Sequence, residues 1–102
     1  MPDLSLPVIW VEDDGAPLAG RLDVSATGLH LDGGSRETRR TRDLRFAEIA
    51  SFRIGRRNGE RIGGRQAVVL QLIGGSRVSL AGFDRPGTLH ELAERLERAG
   101  IG

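Results

Sequence analysis

Apolar residues recur along most of this chain in short runs that alternate with polar ones, and turn residues separate the runs. LPVIWVE (6–12) is apolar and β-branched and stops at DDGAP. GRLDVSA (20–26) alternates, with Leu22, Val24 and Ala26 on one face and Asp23 and Ser25 on the other. LHLD (29–32) repeats the alternation, with Leu29 and Leu31 inward and His30 outward. TRRTRDLRF (38–46) is polar until Leu44 and Phe46. AEIASFRIGRR (47–57) turns a corner near Glu48 and Ile49, then directs Phe52 and Ile54 inward. QAVVLQLI (66–73) is the strongest strand signal, and VSLAGF (78–83) is the last. A period of two marks each run as a strand. Seven such runs at short intervals predict an antiparallel barrel or sandwich.

The period changes after Phe83. In DRPGTLHELAERLERAG, Leu89, Leu92, Ala93, Leu96 and Ala99 fall on one helical stripe, which predicts a helix over 86–99. Thr88 and Glu91 have capping-box spacing, and Gly100 suits the left-handed position that ends a helix. The stripe is narrow, so the helix is expected to lie on the barrel. The phrases LHLDGGSR (29–36) and LQLIGGSR (70–77) share a Gly-Gly hairpin device and are too short to establish an internal repeat.

This order of seven antiparallel strands and one C-terminal amphipathic helix resembles the pleckstrin-homology-like (PH-like) barrel, an α+β fold. GRLDVSATGLHLDGG resembles a hairpin common in bacterial PH-like and GRAM-like domains. LRFAEIASFRI resembles their corner, and AVVLQLIGGSRVSLAGF with TLHELAERLERA resembles their closing hairpin and capping helix. The resemblance runs from about Leu6 to Ala99 and implies a single domain over 1–102. It also implies a binding or scaffolding role without catalysis. The helix tryptophan of many eukaryotic relatives is absent, which favours the bacterial branch. Phosphoinositide-binding members carry basic residues at the first turn. Here that turn is EDDGAP, whose Glu12, Asp13 and Asp14 would repel a phosphate, so no lipid-site residue carries over.

Composition narrows the chemistry. The 102 residues suit one domain, and the absence of cysteine excludes disulfides and thiolate sites and fits a reducing cytoplasm. No apolar run reaches the roughly 20 residues of a membrane helix. Met1 to Pro7 lack the basic start of a signal peptide. All 15 basic side chains are arginine. The net charge of +1 conceals an asymmetry: six acids and one Arg over 1–34 give −5, while ten Arg and four acids over 35–65 give +6.

The basic block contains RRNGERIGGR (56–65). Asn58-Gly59 predicts a tight hairpin, with Arg57 opposite Glu60 and Arg56 opposite Arg61. An extra residue at Gly63-Gly64 would keep Phe52 off Arg65. The like-charged rung is either a solvated tip or a bound anion. The block lacks the strand, GxxxxGK[ST] and helix of a P-loop. In RETRRTR (36–42), Arg36, Arg40 and Arg42 share one strand face, read as an outer, solvated one. Arg40, Arg42, Arg56, Arg57, Arg61 and Arg65 are therefore the candidate anion- or partner-binding residues. A nucleic-acid surface is disfavoured, because the four aromatics offer no exposed stacking row.

His30 and His90 are the only histidines and lack zinc-ligand spacing. There is no G-x-S-x-G elbow, and EDDG lacks the spaced ligands of a calcium loop. No enzyme activity, metal or cofactor is expected. The expected function is a non-enzymatic module contacting a protein or peptide. Peripheral binding to an anionic lipid surface or phosphate through 35–65 is the alternative. A homodimer is also expected, because LPVIWV is apolar on both faces and reads as an undefended barrel edge. Its candidate residues are Val8, Ile9, Trp10 and Val11, with Val69 and Ile73 from the strongest strand.

Overall fold

A computed structural model of the chain describes residues 4–13, 15–34, 37–55, 62, 65–82 and 88–101. Seven strands form one antiparallel sheet: β1 (Leu4–Glu12), β2 (Leu18–Val24), β3 (Gly28–Gly34), β4 (Arg39–Arg45), β5 (Ile49–Gly55), β6 (Ala67–Leu72) and β7 (Arg77–Gly82). One turn of 3-10 helix, Phe46–Glu48, makes the corner between β4 and β5, and α1 (Thr88–Arg98) follows the last strand. The spatial order is β4-β3-β2-β1-β7-β6-β5, so two meanders are joined where β1 pairs with β7. The sheet curls into a half-barrel around one core.

The predicted inward sets fill that core. Val8, Trp10, Leu22, Val24, Leu29, Leu31, Leu44, Val68, Leu70, Leu72, Val78 and Leu80 come from the strands, and Leu92 and Leu96 come from α1. Phe46, Phe52, Ile54 and Leu89 pack against them half-buried. Ala26 departs from its predicted face and is exposed, because β2 ends at Val24.

Helix α1 ends as Gly100 foretold. Gly100 adopts φ 83°, its N–H donates to Glu97 O, and the Ile101 N–H donates to Leu96 O. This is the Schellman arrangement, in which two otherwise orphaned carbonyls are satisfied. Ile101 and Leu96 are both buried in the core, so the cap also fastens the helix to the barrel. The Thr88 cap and the Asn58-Gly59 turn lie outside the described side chains and residues.

Two expectations are corrected. β1 is the central strand, with Val8, Ile9 and Trp10 paired to β2 on one side and to β7 on the other, so it is not an edge of the sheet. It joins the two meanders, and that position explains why it is apolar on both faces. The sheet edges are β4 and β5. The second correction is the β5–β6 register. A hairpin at Asn58-Gly59 with one extra residue would place Phe52 opposite Gln66. The ladder instead pairs Phe52 with Leu70 and Ile54 with Val68. Both registers leave the same residues facing the core, and the observed one sets Phe52 and Ile54 directly opposite apolar partners. Within the connection, Ile62 and Arg65 exchange backbone hydrogen bonds as an isolated bridge, and β6 begins only at Ala67.

Candidate functional site

The structure scatters the residues singled out from the sequence. Val8 and Trp10 are in the core and are unavailable to a second copy. Ile9 and Val11 face outward, but Ile62 folds onto them together with Ala67 and Ala81 in a second small cluster. Val69 is buried as well. The covered outer face is thus explained within the chain, by the connection between β5 and β6. Arg65 helps to hold that connection, since its Nη1 donates to Gly82 O on β7 at 3.0 Å. Ile73 alone of the proposed association residues is fully exposed, at 69%. Arg56, Arg57 and Arg61 lie outside the described residues.

Arg40 and Arg42 differ from their predicted setting. Arg42 pairs with Leu31 and Leu44 with Leu29, both inward residues of β3, so Arg42 shares the core-facing row of its strand. Arg40, opposite Gly33, begins that row and is exposed. The signal was present in the sequence: Leu44 must face the core, and a residue two positions earlier faces the same way.

Arg42 therefore projects across the mouth of the half-barrel. Its Nε lies 3.4 Å from Glu12 Oε2 at the end of β1, and its side chain is 38% exposed. The Nε is shielded from solvent yet has no hydrogen-bond acceptor. The guanidinium lines a cleft of about 350 Å³ with Ala47, Glu48, Leu72, Ile73, Gly74 and Ser76. The fold builds this cleft from the 3-10 corner on one side and the β6–β7 turn on the other. Ile73 N–H donates to Glu48 O at 2.9 Å and ties the two together. On the β1 side, the Asp13 N–H donates to Arg77 O and Asp13 Oδ1 accepts from the Arg77 N–H, which fixes the adjoining turns. One cation, one hydroxyl, one carboxylate and an apolar rim thus converge on a concave space, the usual composition of a ligand site.

A second polar group lies on the outer face of β1–β4. The registers place Ser5, Asp23, His30 and Asp43 in one cross-strand row. Ser5 Oγ donates to Asp23 Oδ1 at 2.6 Å, Arg21 Nε donates to the same oxygen at 3.0 Å, and His30 Nδ1 pairs with Asp43 Oδ1. Ser5 engages the aspartate and not the imidazole, so the row lacks the nucleophile-to-base contact of a triad. Among the described residues no group of three or more His, Cys, Asp or Glu side chains could hold a metal ion.

The row does titrate. The hydrogen bond to Asp43 raises His30 above the ordinary value of 6.5 against desolvation, with the charges of Asp43, Asp23 and Asp32 adding to the rise. The hydrogen bond from Ser5, helped by Arg21, lowers Asp23 below 3.8. A raised folded value means that protonation favours the folded state. The His30 contribution is full below the unfolded value near 6.5 and is lost as pH rises through the higher folded one. Replacing Asp43 with Asn is expected to bring the imidazole titration, followed by NMR, down toward 6.5 and to flatten stability over that interval. A titration unchanged by Asp43→Asn would refute the pairing.

No family model matches the sequence, and no curated protein matches it. The structure does have a likeness among solved ones. A crystal structure of the C-terminal domain of an unknown protein from Leishmania infantum superposes with a TM-score of 0.72 at 13% sequence identity. The match covers 95% of this chain and 84% of that one. At that identity the likeness concerns the fold alone, and it supports the curled sheet with its C-terminal helix as one recurring architecture.

Proposed function

We propose that this chain is a non-enzymatic binding module of the PH-like type that contacts a protein partner by seating a peptide at the mouth of its half-barrel. The strand order and capping helix agree with the resemblance described above. The observation that carries the reading is Arg42, whose part-exposed side chain lines an apolar-rimmed cleft while its Nε lies against Glu12 without a hydrogen-bond acceptor among the described residues. A cation at the rim of an apolar cleft suits a ligand that brings acceptors. Peptides supply carbonyls, and Ile73 offers an apolar contact beside them.

A random peptide library screened against the isolated chain tests the proposal, with the bound surface mapped by amide chemical shifts. Shifts are expected at Arg42, Ala47, Glu48 and Ser76, and Ile73→Glu should abolish binding without altering the circular dichroism spectrum. Peptides that bind elsewhere, or that ignore Ile73→Glu, would refute the mouth as the site.

One observation favours a second reading. Arg40 and Arg45, on opposite faces of the edge strand β4, are exposed and form no ion pair among the described residues, and an anionic lipid surface could meet them along that edge. Salt-sensitive co-sedimentation with phosphatidylserine vesicles, lost on Arg40→Glu/Arg45→Glu and unaffected by Ile73→Glu, would support that reading over the peptide one. Among the described residues no helix is long and apolar enough to cross a membrane.

A further inference from the structure

We infer that the mouth cleft reads the C-terminal residue of the partner polypeptide, with the α-carboxylate on Arg42 and an apolar final side chain against Ile73. The inference rests on the peptide reading above and names what the site selects.

Three observations point to a chain end and not to an internal segment. A guanidinium presents five N–H donors in a planar fork that matches a carboxylate with two parallel bonds. Among the described residues Arg42 has one ion pair, to Glu12 at 3.4 Å through Nε, and that contact lacks hydrogen-bond geometry. The fork is therefore held in position and left short of acceptors. A peptide carbonyl accepts in one place, whereas a terminal carboxylate accepts in two and brings the opposite charge.

The second observation is apolar. Ile73 is the sole large hydrophobic side chain fully exposed among the described residues, and it lines the same cleft as Arg42, with Leu72 and Ala47 beside it. A final residue with an aliphatic or aromatic side chain would cover it. The third is size. At about 350 Å³ the cleft sits near the lower end of the roughly 300–1,000 Å³ typical of ligand pockets, so it suits a terminal residue better than a long segment.

The carboxylates at the mouth define how the site is tuned. Glu12 occupies the Nε side of Arg42 and competes with an incoming anion, so it weakens binding while it orients the fork. Glu48 lines the same cleft and supplies an acceptor for the last peptide N–H groups. Ser76 adds a hydroxyl to the lining. A ligand with a carboxylate followed, toward its N-terminus, by N–H donors matches a lining that holds one guanidinium and one carboxylate.

The experiment uses acetylated peptides that end in Leu, Ile, Phe, Ser, Asp or Lys. Each is made as a free acid and as a C-terminal amide, and each is titrated by fluorescence anisotropy against the intact chain. Free acids with apolar ends are expected to bind about ten- to hundredfold more tightly than their amides, the range for hydrogen bonds to charged groups. Arg42→Gln should erase the difference between acid and amide, and Glu12→Gln should enlarge it. Should Arg42→Gln fail to fold, Arg42→Lys keeps the charge without the fork and should shrink the difference. Amides that bind as tightly as acids, with both lost on Ile73→Glu, would overturn the carboxylate inference and leave the peptide function standing. If neither form binds at the mouth, both fall.

Discussion

Replacing Trp10 with alanine is expected to destabilise the protein by about 3–5 kcal/mol, the usual loss for a large aromatic removed from a core. Trp10 is 1% exposed and belongs to the main cluster. It lies on β1 opposite Leu18 of β2, yet its Nε1 donates to Asp32 O on β3 at 3.0 Å. The indole thus reaches past its neighbouring strand and links three strands through one side chain. Gly33 makes room for it, since a Cβ there would come within 2.8 Å of Nε1. Trp10→Phe keeps most of the packing and loses the N–H, so it should cost about 1 kcal/mol from the hydrogen bond and somewhat more from lost volume. Urea unfolding followed by far-UV circular dichroism separates the two variants. A Trp10→Ala loss below about 1 kcal/mol would contradict the central place given to this residue.

The alternation of single strands made the fold legible. Each predicted run became a strand, with ends shifted by a few residues. His30 faced outward, and Phe52 and Ile54 faced the core as expected. Gly100 was legible because a helix end has a local chemical signature. What stayed hidden were the pairings between distant strands. LPVIWV looks the same whether its second apolar face meets solvent, a partner or another part of the chain. Only the topology shows that β1 is central and that Ile62 covers Ile9 and Val11. The register predicted from the Asn-Gly signal differs from the observed pairing of Phe52 with Leu70, because a local turn signal carries no information on which apolar residues meet across the ladder.

The candidate site was half legible for the same reason. In the sequence Arg42 stands in a basic stretch that reads as an outer face, whereas the β3–β4 register puts it in the row of Leu44. Its Glu12 partner lies thirty positions earlier, on a strand that is not its neighbour in the sheet. No local pattern could relate the two. Curling of the sheet brings them together, while the pairing of β5 with β6 sets the β6–β7 turn against the 3-10 corner to form the cleft. A charge block in sequence is therefore a poor guide here. Of its described arginines, Arg65 clamps a connection, Arg42 spans the mouth, and Arg40 and Arg45 face solvent.

The second large effect concerns a glycine whose φ is ordinary. Gly20→Val is expected to prevent folding or to remove most of the roughly 5–15 kcal/mol by which such domains are stable. Gly20 lies in β2, between Val8 of β1 and Gly33 of β3. A Cβ at this position would sit 1.8 Å from Asp32 O and 2.5 Å from Gly33 Cα. Both are backbone atoms of the neighbouring strand, so no rotamer change can relieve the overlap. Relief requires β2 and β3 to separate where Trp10 donates to Asp32 O and where Gly33 accommodates the indole. The ladder, the cross-strand hydrogen bond and the tryptophan packing would then fail together, which is why the expected cost exceeds that of any one of them. Gly74 supplies the control: it lies in the β6–β7 turn, has no positive φ, and its Cβ would meet nothing within 4 Å. Gly74→Ala should stay within about 0.5 kcal/mol of the parent. Circular dichroism and urea midpoints of the two variants decide the matter. A Gly20→Val chain that unfolds near the parent midpoint would show that β2 and β3 do not approach as closely as described.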